Sequence, residues 1–192
     1  MKLIKDNSKF IIRISVTMFL ITVAAALLLS GVNAFTSVKI NENAVAARLE
    51  AMSDILPGYS FSDDFITVDS TIIYPMNDSG GNTAYCVQTV SNGFGGAIDI
   101  LVGVTKDDPG TFRIAGVAIL SMKETAGLGT RAKDPVYLSQ YKGLTNNISI
   151  ADSSSGANSV DAISGATITS KAVAAGVNAA LDIVLNNIND LG

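Results

Sequence analysis

The sequence predicts an α+β domain carried behind a single N-terminal transmembrane helix, with antiparallel strands and flanking helices. Three observations predict it. An uncharged run of 22 residues lies near the start, short β-rich runs separated by turn residues fill the middle, and a long apolar-periodic run closes the chain.

The uncharged run is ISVTMFLITVAAALLLSGVNAF, Ile14 to Phe35. At about 1.5 Å per residue it makes roughly 33 Å of helix, enough to cross a hydrocarbon core. Lys2, Lys5, Lys9 and Arg13 against Asp6 give its leading flank a charge of +3, and the chain total of −4 leaves −7 after residue 13. Positive flanks stay inside. Residues 1–13 are therefore read as a cytoplasmic N-terminus, 14–36 as the transmembrane helix and 37–192 as an extracytoplasmic domain of the cell membrane. A cleaved signal peptide is the competing reading, because Val32-Asn33-Ala34 resembles a small-x-small cleavage site. Signal h-regions run ~7–15 apolar residues, and this run is longer, which favours an uncleaved anchor.

Composition excludes several chemistries. With no His and a single cysteine, Cys86, the chain holds no intrachain disulfide, Cys-based cluster, zinc site or Ser-His-Asp device of its own. No metal site is expected. An acidic body without a basic stripe excludes nucleic acid as a partner.

Within residues 37–192, NENAVAARLEAMSDILPG (41–58) places Val45, Leu49, Met52 and Leu56 on one helical face, closed by Pro57-Gly58. FITV, STIIYPM and TAYCVQTVS then read as strands. Residues 97–122 read as a hairpin around the turn Asp107-Asp108-Pro109-Gly110. In DPVYLSQYKG (134–143), Asp134 is a predicted N-cap, Pro135 sits at the first helical position and Gly143 ends a short helix. A Ser- and Asn-rich linker (146–160) follows. The last helix spans about 167–188, with Val173, Val177, Leu181, Val184, Leu185 and Ile188 as its buried stripe and Lys171, Asn178, Asp182 and Asn186 as its wet side.

DAISGATITS (161–170) opens that helix. Its hydroxyls support two readings. Ser164 can cap the first turn, with Asp161 favouring the positive helix end. Alternatively a phosphate sits there, since a helix start offers free N–H groups and Gly165 lets backbone approach an anion. Local physics does not separate a bound phosphate from one esterified to a threonine.

The run Asp161-Ala162-Ile163-Ser164-Gly165-Ala166-Thr167 resembles the flavinylation motif of the FMN-binding domain family. That resemblance implies covalent FMN, attached as a phosphoester to Thr167 by a separate flavin transferase. Asp161, Ser164, Gly165 and Ala166 would form the recognition frame, and Thr169 and Ser170 lie on the same early turn. KETAGLGTR (123–131) resembles the family's Glu-Thr-Pro-Gly-Leu-Gly segment, which lies against the flavin: Glu124, Thr125, Gly127, Leu128 and Gly129 match, while Ala126 replaces the usual Pro. GFGGAIDILVGV (93–104) is similar to the family's Gly-aromatic-Gly-Gly lead into a central strand.

With one N-terminal membrane helix, the pattern resembles most the flavin-bearing G subunits of Rnf-type electron-transport complexes, relatives of the C subunit of the sodium-pumping NADH:quinone reductase. The implied role is an electron relay in a ferredoxin:NAD oxidoreductase coupled to Na⁺ or H⁺ movement, with the other subunits, the transferase and membrane lipid as partners. No catalytic acid, base or nucleophile is implied, and no independent catalysis. The uncharged helix offers no ion-conducting group. Ala24, Ala25, Ala26, Ser30 and Gly31 offer small surfaces for helix contact. Two other classes remain open at this point: an anchored or secreted flavoprotein outside any ion pump, and a non-redox binding module.

Overall fold

The structure, a computed structural model, describes residues 2–61, 65–68, 71–108, 111–145, 147–151, 156 and 158–187. It divides into two units, Met1–Ala46 and Ala47–Gly192. Helix α1 runs Lys2–Ile55 through the first unit and into the second. The runs expected as two helices are thus one element, because no proline occurs before Pro57 to end it. In the first unit every described side chain, Lys9 to Ala46, is exposed. The helix is long and apolar enough there to cross a membrane. Surface this apolar is stable against hydrocarbon and not against water.

The second unit is built on one antiparallel sheet. Its strands are β1 (Tyr59–Phe61), β2 (Ile66–Val68), β3 (Thr71–Asp78), β4 (Thr83–Asn92), β5 (Ala97–Asp108) and β6 (Thr111–Met122), in spatial order β1-β3-β4-β5-β6, with β2 also on β3. The expected hairpin is β5–β6, which pairs from Ile98↔Met122 to Asp108↔Thr111. Pro109 and Gly110 of its turn lie outside the described residues. Alternation along the strands sends side chains to two cores. Ile73, Val87, Ile100, Val102 and Ile114 face one side, and Tyr74, Met76, Ala84, Cys86 and Leu101 the other.

The second core is closed by Met52, Ile55 and Leu56 from the end of α1. Of the expected stripe, Met52 and Leu56 are buried, while Val45 and Leu49 remain 48% and 41% exposed. The last turn packs into the core, and one step earlier Arg48 donates to the Tyr74 hydroxyl of β3 at 3.0 Å. Cys86 is fully enclosed, and burial pushes its thiol up to about 12, so it is an inert apolar filler.

The first core is closed by α3 (Thr167–Asn186), on which Val173, Val177, Leu181 and Val184 are buried. Each such aliphatic side chain contributes about 1.5–3 kcal/mol when removed from water. Ile188 lies outside the described residues. Lys171, Asp182 and Asn186 are exposed as expected. Asn178 is not on the wet side. Its amide takes the Ile148 N–H at 2.9 Å and donates to the Ile148 carbonyl at 2.8 Å, pinning the preceding segment to the helix.

A 3₁₀ helix, Gly129–Lys133, leads into α2 (Pro135–Ser139). Asp134 caps α2 by accepting the Val136 N–H at 2.9 Å, and Gly143 ends the following turn at φ +80°. Inside the expected linker, β7 (Ser149–Ile150) and β8 (Ser159–Val160) form a parallel pair. Residues 146, 152–155 and 157 of that linker lie outside the described residues.

Candidate functional site

The three motifs, far apart in sequence, meet at the start of α3. The connection runs through Glu124. Its Oε1 accepts the Gly95 N–H at 3.0 Å, and its Oε2 accepts the Thr169 hydroxyl at 2.9 Å. One carboxylate therefore ties the β4–β5 loop, the segment after β6 and the first turn of α3 together. Close approach makes this possible: a Cβ on Gly93 or Gly129 would collide with the Glu124 side chain, and one on Gly95 with the Lys123 carbonyl.

Thr167 is the first residue of α3 and is exposed. Its hydroxyl has no partner among the described residues. Ala166 occupies the N-cap position and makes no side-chain cap. The expected cap from Ser164 is not formed: Ser164 is exposed in a turn with Gly165, whose φ is +79°. That turn directs the chain into the helix without using the serine hydroxyl. The first intrahelical bond runs from the Ser170 N–H to Ala166, so the N–H groups of Thr167, Ile168 and Thr169 have no acceptor among the described residues.

Thr169 and Ser170 do not join Thr167 at the surface. They are 1% and 0% exposed. The Ser170 hydroxyl accepts the Ile163 N–H at 2.9 Å and donates to the Ala166 carbonyl at 3.1 Å. Both side chains lie beneath the helix start, held by the Glu124 carboxylate and by the Ile163 and Ala166 backbone. Asp161 is exposed, and its N–H is held by the Gln140 side chain at 2.9 Å.

The Glu124-to-Gly129 segment forms a tight turn over Thr125. Leu128 N–H and Thr130 N–H both bond the Thr125 carbonyl, and the Thr130 hydroxyl accepts the Gly127 N–H at 2.9 Å. Gly127 takes φ +74° without a proline before it, so Ala126 is accommodated. Leu128 reaches over Gly165, where a Cβ would stand 3.2 Å from Leu128 Cδ2. Each of the three motif segments presents one large apolar side chain outward: Phe94, Leu128 and Ile168, at 71%, 45% and 54% exposure.

Phe94 and Gln140 were not among the expected site residues. Phe94 lay within the glycine-rich loop, where its exposure marks it. Gln140 carries no local signal. Beside the turn, a cavity of about 280 Å³ is lined in part by Arg131, Gln140, Asp161 and Ser164.

Residues 93–182 match the FMN-binding domain family. A curated relative from Methanosarcina acetivorans, named as the G subunit of an ion-translocating oxidoreductase complex, is 34% identical over 191 residues, covering 93% of this chain and 97% of the relative. The chain belongs to the family of G subunits of ion-translocating oxidoreductase complexes. The Acetobacterium woodii member, named as the G subunit of a Na(+)-translocating ferredoxin:NAD(+) oxidoreductase complex, is 28% identical over 198 residues, 93% of each chain. Among solved structures, the C subunit of the Na(+)-translocating NADH-quinone reductase from Parabacteroides distasonis aligns with a TM-score of 0.47 and 23% identity, covering 63% of this chain and 62% of that one. With its long apolar helix, this member of the family is a membrane protein.

The residues present fit FMN. Uncapped N–H groups at a helix start suit a phosphate, Thr167 is exposed beside them, and the exposed apolar trio suits a flat ring.

Proposed function

We propose that this chain carries FMN as a phosphoester on Thr167 and relays electrons within a ferredoxin:NAD oxidoreductase complex that moves Na⁺ or H⁺. The observation that carries the reading is the pairing of an unpartnered, exposed Thr167 hydroxyl with an uncapped helix N-terminus inside the Asp161–Thr167 motif.

FMN supplies transfer of one or two electrons when bound. The chain's own residues do the rest. The N–H groups of 167–169 and the positive end of α3 stabilise the phosphate charge, by about 0.3–1 kcal/mol at an exposed site from the dipole alone. The exposed Ser164 and Thr167 leave the hydroxyl within reach of a separate flavin transferase, which activates the otherwise weak hydroxyl. Phe94, Leu128 and Ile168 supply apolar surface for the ring. No side chain here acts as acid, base or nucleophile in electron transfer. The domain lies on the extracytoplasmic side, by the charge asymmetry of the helix flanks. Ion movement belongs to partner subunits, since Ile14–Phe35 carries no charge.

Intact mass of the denatured, membrane-purified protein tests this, with Thr167→Ala alongside. One FMN phosphoester on the wild type and none on the variant is expected. Unmodified mass in both, from cells with an active transferase, would reduce the motif to a helix start.

A further inference from the structure

We propose that Glu124 is a fixed negative charge built into the flavin site and that it lowers the reduction potential of the FMN on Thr167. This rests on the reading that Thr167 carries the flavin.

The carboxylate is half-buried and both its oxygens meet uncharged donors, the Gly95 N–H and the Thr169 hydroxyl. Among the described residues no Lys or Arg pairs with it; the ion pairs there are Lys39–Glu42 and Arg113–Asp107. What surrounds it is backbone. Gly93 and Gly129 have no room for a Cβ because this side chain occupies the space. Two hydrogen bonds and the glycine walls hold the group in one orientation.

The frame alone does not need the charge. A glutamine of the same shape accepts the Gly95 N–H with its Oε1 and donates to the Thr169 oxygen with its amide, once that hydroxyl rotates. A carboxylate in this place adds only one thing, a localised negative charge. It lies between Thr169, two residues beyond Thr167, and Gly95, the neighbour of Phe94. That is between the first turn of α3, which carries the attachment point, and the loop that carries Phe94.

Two electrons from the complex's donor, taken up with one proton, add one negative charge to the flavin. A nearby carboxylate opposes that addition. For unit charges about 10 Å apart at an effective dielectric of about 20, the opposition amounts to roughly a tenfold change in equilibrium constant. It lowers the potential, which suits a carrier in a chain fed by a strong reductant.

The test is an equilibrium redox titration of the full-length, flavin-loaded protein, followed by flavin absorbance, after mass measurement has verified loading. Glu124→Gln is expected to move the midpoint upward, raising the reduced-to-oxidised ratio at fixed poise by roughly tenfold. Glu124→Ala, which removes the same charge without fitting an amide between the glycines, is expected to move it the same way. Asp182→Asn removes an exposed carboxylate about four turns further along α3, so its midpoint stays with the wild type. An unchanged midpoint in both Glu124 variants, or an equal shift in Asp182→Asn, overturns the proposal. So does a folded Glu124→Gln protein that takes no flavin, which would assign the carboxylate to loading. A wild type without flavin on Thr167 fails at the mass step and removes the underlying reading with it.

Discussion

Gly116 and Ile55 sit so close that the glycine has no room for a side chain. A Cβ at Gly116 would stand 3.0 Å from Ile55 Cβ and 3.3 Å from its Cα. Across the ladder, Gly103 pairs with Gly116, and a Cβ there would stand 3.1 Å from Leu56 Cγ. Two opposed glycines thus make a flat patch on which the last turn of α1 rests. Filling it overpacks the second core. Gly116→Val is expected to cost about 1–3 kcal/mol in denaturant unfolding. Adding Ile55→Ala recovers part of the loss, because residues in contact couple. Strict additivity of the two losses would show that the glycine matters for another reason.

How much of this was legible in the sequence follows from the range of each interaction. The β5–β6 hairpin, the Asp134-Pro135 helix start and the α3 stripe are local patterns, and each was readable in place. The 3₁₀ turn at Gly129–Lys133 and the two-residue strands β7 and β8 are too short to show a period, and no local pattern announced them. Asn178 read as wet because its partner, Ile148, is 30 residues away. The site behaved similarly. Each motif was visible alone, but their meeting depends on Glu124 bonding across 29 residues to Gly95 and 45 to Thr169. Ser164 read as a cap because serine before a helix usually is one; the turn through Gly165 takes it out of reach.

Gly165 sets the entry into α3. At φ +79° an alanine incurs about 1–2 kcal/mol of strain. Leu128 must also give way at 3.2 Å. Gly165→Ala is therefore expected to lower the thermal midpoint and to reduce the fraction of chains bearing FMN in the mass spectrum. Gly165→Asn tolerates the left-handed region better and loses less stability. Equal losses in the two variants would point to side-chain bulk beside Leu128 instead of backbone strain.

Asn178 holds the segment before the motif in place. Replacing it with Ala removes both bonds to Ile148 and leaves that residue's N–H and carbonyl without partners. Ile148 is buried, at 5% exposure, so the vacancy is costly, about 1–3 kcal/mol. Amide exchange at Ile148 should accelerate and proteolysis in 146–160 should increase, with the sheet unaffected. Unchanged exchange at Ile148 would mean that water satisfies the freed groups.

Alkaline pH should unfold this domain by a traceable route. Tyr137 and Tyr141 share a 3.0 Å hydroxyl–hydroxyl contact under the start of α3. Burial raises both above the ordinary tyrosine value of 10.0; for Tyr137 the bonds to Tyr141 and Ser170 oppose it in part, and for Tyr141 the neighbouring Tyr137 adds to it. Burial likewise takes Cys86 from 9.0 to about 12. The folded chain keeps these protons where the unfolded chain has lost them, so stability is complete at neutral pH and falls as pH rises. The loss starts near 9.0 through Cys86 and steepens from 10.0 as the tyrosines join. Each group adds a slope of up to about 1.4 kcal/mol per pH unit. Denaturant midpoints measured upward from neutral pH should show Cys86→Ala flattening the earlier part and Tyr141→Phe the later part. Tyr141→Phe also loses the hydroxyl contact at every pH, which displaces the curve without changing its slope. A wild-type curve that stays level beyond the tyrosine range would mean that these hydroxyls ionise in place, reached by water at the base of α3.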